Sequence, residues 1–130
     1  MSLVLLDTHV LHWASAEPEQ LSRTANETIA GATELAVAAI TWYELAWLAQ
    51  HQRIVVAIPT QTWLDQLAAE VRTIGITSAV AHAACGLPSS FPKDPADRLI
   101  YATAVVHGLS LVTKDGRLRR HRHPRSVTVW

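Results

Sequence analysis

The stretch PADRLIYATAVVHGLSLVTKD, residues 95–115, decides the fold class of this chain. Its first part has the apolar spacing of a helix, and Pro95 suits the first turn of one. Gly108 follows the last helical position, where a C-cap glycine belongs. The run SLVT, residues 110–113, is a short buried strand. A helix that leads directly into a buried strand is the repeating unit of an α/β protein.

The rest of the chain repeats this alternation. Further strands are predicted at residues 3–6, 35–40, 72–76 and 126–130, and further helices at residues 22–32, 42–51, 60–71 and 78–85, with Ser22 as the N-cap of the first of these helices. The apolar runs lack in–out alternation, which is typical of parallel strands that are covered on both faces. The pattern predicts one compact three-layer α/β/α domain over residues 1–130, with a mainly parallel central sheet.

Composition narrows the class of protein. The 130 residues carry 11 basic and 11 acidic side chains, so no global field attracts nucleic acid and any such contact must be local. The single cysteine, Cys85, excludes an internal disulfide and suits a reducing cytoplasm. Its Ala-rich surroundings predict a small buried core residue. No run has the length and hydropathy of a membrane span, so a cytoplasmic protein without a membrane partner is expected.

Acidic residues fall where the predicted strands end. Asp7 follows the first strand, Glu44 lies four residues after the second, and Asp115 follows SLVT. The helix that begins at Pro95 runs antiparallel to SLVT, so its first turn carries Asp94 and Asp97 to the same edge. Ligands of parallel α/β sheets bind beyond the carboxyl ends of the strands. The sequence therefore predicts that five carboxylates converge on one rim.

Each acid also has a purely structural interpretation. Thr41-x-x-Glu44 has the form of a capping box. Asp94 before a proline is a good N-cap, Asp97 at the third helical position resembles a capping acid, and Asp115 with the following glycine is a common turn pair. Together, however, crowded carboxylates repel one another unless they are protonated or bridged by a cation. Oxygen-only ligation suits Mg²⁺ or Mn²⁺, which supports phosphate chemistry.

The motifs that hold these acids resemble those of a known family. LLDTHVLHW, AAITWYE, DPADRLIYATA and LVTKD are similar to the four acidic motifs of PIN-domain ribonucleases, and their order and spacing resemble the VapC toxins of toxin–antitoxin pairs. The resemblance implies a Mg²⁺-dependent endoribonuclease that hydrolyses RNA, a VapB-type antitoxin partner and a homodimer. It implies catalytic and metal-ligating roles for Asp7, Glu44, Asp97 and Asp115. Thr8 and Thr113 match polar positions that orient waters or carboxylates.

Several other residues are candidates with two interpretations each. Arg98 either contacts RNA phosphate or holds a carboxylate in a salt bridge. The basic run RLRRHRHPR, residues 117–125, is either a solvated segment or a guide for a phosphate backbone. His121 and His123 give only weak support for zinc, and His9 abuts the site but favours a packing or surface role.

The tryptophans favour burial over base stacking. Trp13, Trp42, Trp47 and Trp63 all lie in apolar helical patterns. Trp42 and Trp47 lie too far apart around their helix for both to face one core. One of them is therefore expected to meet a partner subunit.

Other functions compete with the toxin interpretation. A phosphoaspartyl enzyme or receiver-like switch also gathers acids at a sheet edge, but position 9 is His where such an enzyme needs a second acid. A non-catalytic PIN-like RNA-binding module would be signalled by the loss of one acid, and all four are present. A PIN-like nuclease of general RNA processing would share every motif and differ only in its biological partner.

Overall fold

A computed structural model describes residues 2–122 and 126–130 of the chain. Its centre is a five-stranded sheet of order β3-β2-β1-β4-β5, in which every neighbouring pair is parallel. The strands are β1 (Leu3–Leu6), β2 (Glu34–Ala38), β3 (Arg72–Ile74), β4 (Ser110–Val112) and β5 (Thr128–Val129). The predicted parallel α/β architecture is confirmed.

Seven helices are seen in these residues, in two layers around the sheet. They are α1 (Thr8–Ala16), α2 (Arg23–Gly31), α3 (Ile40–Gln50), α4 (Thr60–Ala68), α5 (Ser78–Cys85), α6 (Pro95–His107) and the short α7 (Gly116–Arg119), with a 3₁₀ turn at Pro18–Gln20. Residues of α1 to α4 form one hydrophobic cluster with one sheet face. Helix α6 packs on the other face, and α5 packs on α6. The result is the predicted three-layer arrangement.

Successive residues of β1 enter opposite clusters. Val4 and Leu6 pack with the α1–α4 layer, whereas Leu5 packs with α6. All three are buried, which explains why the strand shows no polar alternation. Truncating Leu5 to Ala would cost about 2–5 kcal/mol of stability, as for other buried leucines.

Two predicted helix ends are confirmed. The Ser22 side chain caps α2 by accepting a hydrogen bond from the backbone N–H of Ala25. Gly108 ends α6 in the left-handed region with φ of 65°, and its N–H bonds back into the last turn. The left-handed region favours glycine because a Cβ is strained there.

The predicted start of α3 is wrong by two residues. Strand β2 ends at Ala38 and α3 begins at Ile40, so the connection is tighter than the predicted strand at 35–40 and helix from 42. Position 39, and not Thr41, is the N-cap of α3. The predicted capping box between Thr41 and Glu44 therefore does not exist.

The predicted burial of Cys85 is also wrong. Cys85 is exposed, because α5 packs on α6 through Val80 and Ala84 and turns its other side to solvent. The alanine-rich sequence of α5 does not distinguish the buried side of the helix from its exposed side.

The tryptophans of α3 take the two different environments that their spacing predicts. Trp42 is partly buried against the α1–α4 cluster, as are Trp13 and Trp63. Trp47 is 41% exposed and stacks on His51, with ring centroids 4.0 Å apart.

Within the described ranges, no helix combines the length and the apolar character that a membrane crossing requires.

Candidate active site

The sheet order brings the acids together at its carboxyl edge. Strand β1 lies between β2 and β4, and the chain reaches these two neighbours in opposite directions from it. Such a switch point opens a crevice beyond the strand ends. The acids from β1, α3, α6 and the end of β4 line one pocket of about 460 Å³ there: Asp7, Glu44, Asp94, Asp97 and Asp115. The predicted convergence of these carboxylates on one rim is confirmed.

Asp7 is held on both of its oxygens. Oδ1 accepts a hydrogen bond from the Thr8 backbone N–H at 2.8 Å, and Asp7 is the N-cap of α1. Oδ2 accepts from the Thr113 hydroxyl at 2.6 Å. Burial raises the pKa of Asp7, and the Thr113 hydrogen bond offsets part of that rise. Asp7 thus has a fixed orientation without a cationic partner among these contacts.

The Glu44 carboxylate is held by a hydrogen bond from Thr8. The Thr8 hydroxyl donates to Glu44 Oε1 at 2.5 Å. It also lies 3.1 Å from the Thr41 hydroxyl. Since the Thr8 proton goes to Glu44, Thr41 is the donor of the second bond. Burial raises the pKa of Glu44 and the Thr8 hydrogen bond opposes the rise. Thr41 therefore supports the acid through Thr8, and not as a helix cap.

Asp97 is a largely buried acid with a strongly raised pKa. Its side chain is 13% exposed. Burial and the negative charges of Asp94 and Asp7 together raise its pKa to about 7, and Arg117 offsets only part of that rise. Repulsion among neighbouring carboxylates of this kind is relieved by a proton or by a cation.

Arg117 was missed by the sequence analysis. Its Nη2 lies 2.8 Å from Asp115 Oδ2 and 3.2 Å from Asp97 Oδ2, and its Nε lies 3.1 Å from Asp115 Oδ1. These hydrogen bonds lower the pKa of Asp115. The sequence does show an arginine two residues after Asp115, which could have indicated a contact between them. The second partner of this arginine, Asp97, lies 20 positions away in sequence.

Asp94 is an N-cap, as one interpretation of its sequence context predicts. Its Oδ1 accepts from the Ala96 backbone N–H at 2.8 Å. It also lines the pocket and raises the pKa values of Glu44 and Asp97 by its charge. Its direct contact is thus structural and its influence on the site is electrostatic.

The predicted salt bridge of Arg98 is wrong, since this arginine pairs with no carboxylate among the described residues, and its contact with RNA phosphate stays a prediction. The guanidinium donates to five backbone carbonyls of the segment before α6, those of Ala84, Leu87, Pro88, Phe91 and Pro92. The side chain is directed away from the acids because these carbonyls satisfy its planar array of donors. Arg98 therefore anchors the segment that leads into α6 and so fixes the start of the helix that carries Asp97.

The basic run divides between two places. Arg117 enters the acid pocket, whereas Arg119, Arg120 and Arg122 line a separate groove of about 530 Å³. His121 packs edge-on against Phe91 and Tyr101. His123, the second half of the weakly supported zinc pair, lies outside the described residues, as do positions 124 and 125.

Aromatic and basic side chains also line the pocket. His9 and Trp13 lie on α1 with ring centroids 5.8 Å apart. Lys114 Nζ lies 5.8 Å from the centroid of the Trp13 ring, within reach of a cation–π contact. The pocket lining thus combines carboxylates with positive charge and aromatic rings.

The donor set fits a hard divalent cation. Carboxylate oxygens dominate the pocket, and their mutual repulsion is what a cation would relieve. Across the described residues, no three His, Cys, Asp or Glu side chains form a ready-made metal cage. Mg²⁺ does not require one, because it binds through one or two carboxylates and keeps several waters. Asp7 and Asp97 are the best placed candidates, with Glu44 and Asp115 beside them.

The comparison with protein families agrees with this geometry. A family model described as "PIN domain" matches residues 4–124. The chain belongs to the PIN-domain family. This PIN domain is 66% identical over 130 residues, the whole of both chains, to "Ribonuclease VapC22" of Mycobacterium tuberculosis. A relative of that identity places it among the VapC-type members of the family.

Solved structures share the fold of this PIN domain. One is a DNA-bound VapBC from Salmonella typhimurium, with a TM-score of 0.74 and 17% identity over 99% of this chain and 98% of that one. Another is VapBC2 from Rickettsia felis bound to a promoter DNA fragment, with a TM-score of 0.71 and 17% identity over 98% and 97% of the two chains. At these identities the likeness concerns the arrangement of the elements.

Proposed function

We propose that this PIN domain is a Mg²⁺-dependent endoribonuclease and the toxin of a VapBC-type pair. The observation that carries the proposal is the single pocket in which Asp7, Glu44, Asp97 and Asp115 meet at the carboxyl edge of the sheet. A relative at 66% identity bears the name of a ribonuclease. Crowded carboxylates with raised pKa values, together with oxygen-only ligation, favour a divalent ion and phosphate chemistry.

The residues divide the work of hydrolysis. When bound, Mg²⁺, or Mn²⁺ in its place, supplies Lewis-acid polarisation of the phosphate and activation of a water. Asp7 and Asp97 would hold it directly, and Glu44 and Asp115 would complete its surroundings through waters or a second ion. Thr113 and Thr8 fix the Asp7 and Glu44 carboxylates, so little reorganisation is needed when the cation binds. Trp13 and Lys114, which also line the pocket, would meet the RNA strand.

A VapB-type antitoxin is the proposed protein partner. Solved structures that share this fold include a toxin–antitoxin complex from Klebsiella pneumoniae and VapBC-5 from Mycobacterium tuberculosis, a member of the VapBC family of toxin–antitoxin systems. A homodimer is the second proposed assembly, and the exposed Tyr43 and Trp47 on α3 supply apolar surface for one of these contacts. Sedimentation of the purified chain, with and without the product of an adjacent small gene, measures both.

The first prediction tests the metal. Purified protein should cleave single-stranded RNA in the presence of Mg²⁺ or Mn²⁺, and cleavage should stop on chelation and return when the ion is restored. The physical reason is that carboxylates alone do not generate a nucleophilic hydroxide near neutral pH. Undiminished cleavage in excess chelator would overturn the metal mechanism.

Two other functions give different outcomes in the same assays. A non-catalytic RNA-binding module would bind RNA and leave it intact at every metal concentration. A nuclease of general RNA processing would cleave RNA, yet its expression would not arrest growth and no neighbouring antitoxin gene would relieve it. Growth arrest on expression, reversed by the adjacent gene, supports the toxin proposal.

A further inference from the structure

The acid pocket already contains a positive charge that belongs to the chain. Arg117 bridges two of the proposed ligands, because its Nη2 contacts both Asp115 Oδ2 at 2.8 Å and Asp97 Oδ2 at 3.2 Å. Its Nε contacts the other oxygen of Asp115 at 3.1 Å. The guanidinium thus uses lone pairs that a divalent ion would need.

The contact is also one that can be released. The Arg117 side chain is 58% exposed, so water reaches the guanidinium and screens its attraction to the two carboxylates. A divalent ion carries twice the charge of a guanidinium in a smaller volume. It therefore competes well for Asp97 and Asp115.

The displaced side chain has a natural second partner. Five carboxylates line the pocket, and their negative charge repels a polyanionic strand. A guanidinium at the pocket mouth matches the paired oxygens of a phosphate as well as it matches a carboxylate. Release of Arg117 from the acids would place positive charge at the point where an RNA backbone enters.

We propose that Arg117 is an exchangeable counter-ion, which competes with the divalent ion for Asp97 and Asp115 and passes to an RNA phosphate once the ion is bound. This inference rests on the proposed metal site. It differs from a role in which Arg117 merely positions the two acids, and the two roles predict opposite effects on metal affinity. A competitor weakens metal binding, whereas a positioning residue strengthens it.

The test compares Arg117→Gln with the wild type and with Arg119→Gln. Arg119 lies on the same short helix and lines the separate groove, so its substitution makes the same change in net charge without touching the acids' guanidinium contact. Free Mn²⁺ is counted by electron paramagnetic resonance in titrations of each protein. Arg117→Gln should bind Mn²⁺ roughly 3- to 10-fold more tightly than wild type, and Arg119→Gln should change affinity far less.

A second measurement follows the phosphate half of the proposal. Binding of a short fluorescein-labelled single-stranded DNA, as a phosphate-backbone probe, is measured by anisotropy at saturating Mn²⁺ across a salt series. Arg117→Gln should bind it more weakly, and its slope of log affinity against log salt should be shallower by about 0.7, the value for one phosphate contact on a single strand.

The outcomes separate this inference from the proposed function. If wild type binds no Mn²⁺, the metal site and this inference both fail. If wild type binds Mn²⁺ but Arg117→Gln binds it equally or more weakly, or keeps the full salt slope, only the counter-ion role fails. Arg117→Lys keeps the charge without the fork and should give a Mn²⁺ affinity between wild type and Arg117→Gln. It decides the question if Arg117→Gln does not melt as a folded protein.

Discussion

The acid pocket has two halves that are held by different chemistry. In one half, the threonine hydroxyls of Thr113 and Thr8 donate to Asp7 and Glu44. In the other half, the guanidinium of Arg117 bridges Asp97 and Asp115. A hydroxyl orients a carboxylate and leaves its charge uncancelled, whereas the shared guanidinium orients its two carboxylates and offsets part of their charge. The carboxylates held by threonines therefore attract a cation at all times. The carboxylates held by Arg117 become available to a cation only when it displaces the guanidinium.

The largest expected effect is that of Asp7→Asn. Loss of this charge should lower RNA cleavage by more than about 100-fold, since loss of an outer partner of a metal ligand alone costs 10- to 100-fold. The melting temperature without metal should change little, because Asn caps a helix as well as Asp. Cleavage rates and thermal melts of the same preparations check both statements.

The matched variant for this comparison is Asp115→Asn. Its charge is already paired with Arg117, so its loss should cost less activity than Asp7→Asn. Equal losses in the two variants would show that the halves of the pocket do not differ in the way their partners indicate.

An intermediate effect is expected for Thr113→Val. The variant keeps the shape of the side chain but frees Asp7 Oδ2 and removes the acceptor of the Asp115 backbone N–H. Activity should fall by about 10- to 100-fold, and stability by about 1–3 kcal/mol.

The control for Thr113→Val is Thr103→Val. Thr103 is equally buried, and its hydroxyl donates to the Leu99 carbonyl within α6 at 2.7 Å. This variant should lose stability without a comparable loss of activity per folded molecule. If both threonine variants lose the same activity, the Thr113–Asp7 hydrogen bond has no special role.

The smallest expected effect is on stability and depends on pH. The pKa of Asp97 is about 7 in the folded protein against an ordinary value of 3.8. Between these values the folded chain binds more protons than the unfolded chain, so metal-free stability should fall as pH rises from 4 to 7. In the Asp97→Asn variant, the decline in the free energy of unfolding between pH 4 and pH 7 should be smaller by roughly 1–3 kcal/mol. Part should remain, because burial also raises the pKa values of Asp7 and Glu44.

The measurement is chemical denaturation at several pH values in chelator. Wild type with saturating Mg²⁺ should show a weaker decline than metal-free wild type, because the cation takes the place of the proton. A wild-type stability that rises steadily between pH 4 and pH 7 without metal would contradict the account of crowded carboxylates.

Features of the structure that depend on residues close together in the sequence were predictable. Ser22 and Gly108 sit at the helix ends that their chemistry favours, and the parallel sheet follows from apolar runs that alternate with helices. The meeting of the acids follows as well. Each acid comes just after a strand or at the start of a helix that returns to one, and parallel strands end at one edge.

Features that depend on distant partners were not predictable. Thr41-x-x-Glu44 has the same spacing whether Thr41 caps its helix or contacts Thr8, which lies 33 residues away. Arg98 has the same local context whether it contacts an acid or the carbonyls of the preceding segment. Arg117 needs both Asp115 and Asp97 in place before its role is visible. In each case the deciding contact is made by the tertiary fold.

The central position of β1 has a consequence for how the chain is made. Asp7 is synthesised well before its partners, because its N–H bonds to the Val112 carbonyl and its carboxylate to the Thr113 hydroxyl, 106 residues later along the chain. At a synthesis rate of about 5–20 residues per second, that interval lasts roughly 5–20 s. A nascent chain therefore cannot complete this pocket until Thr113 has been made, and the site assembles only as β4 and β5 join the sheet.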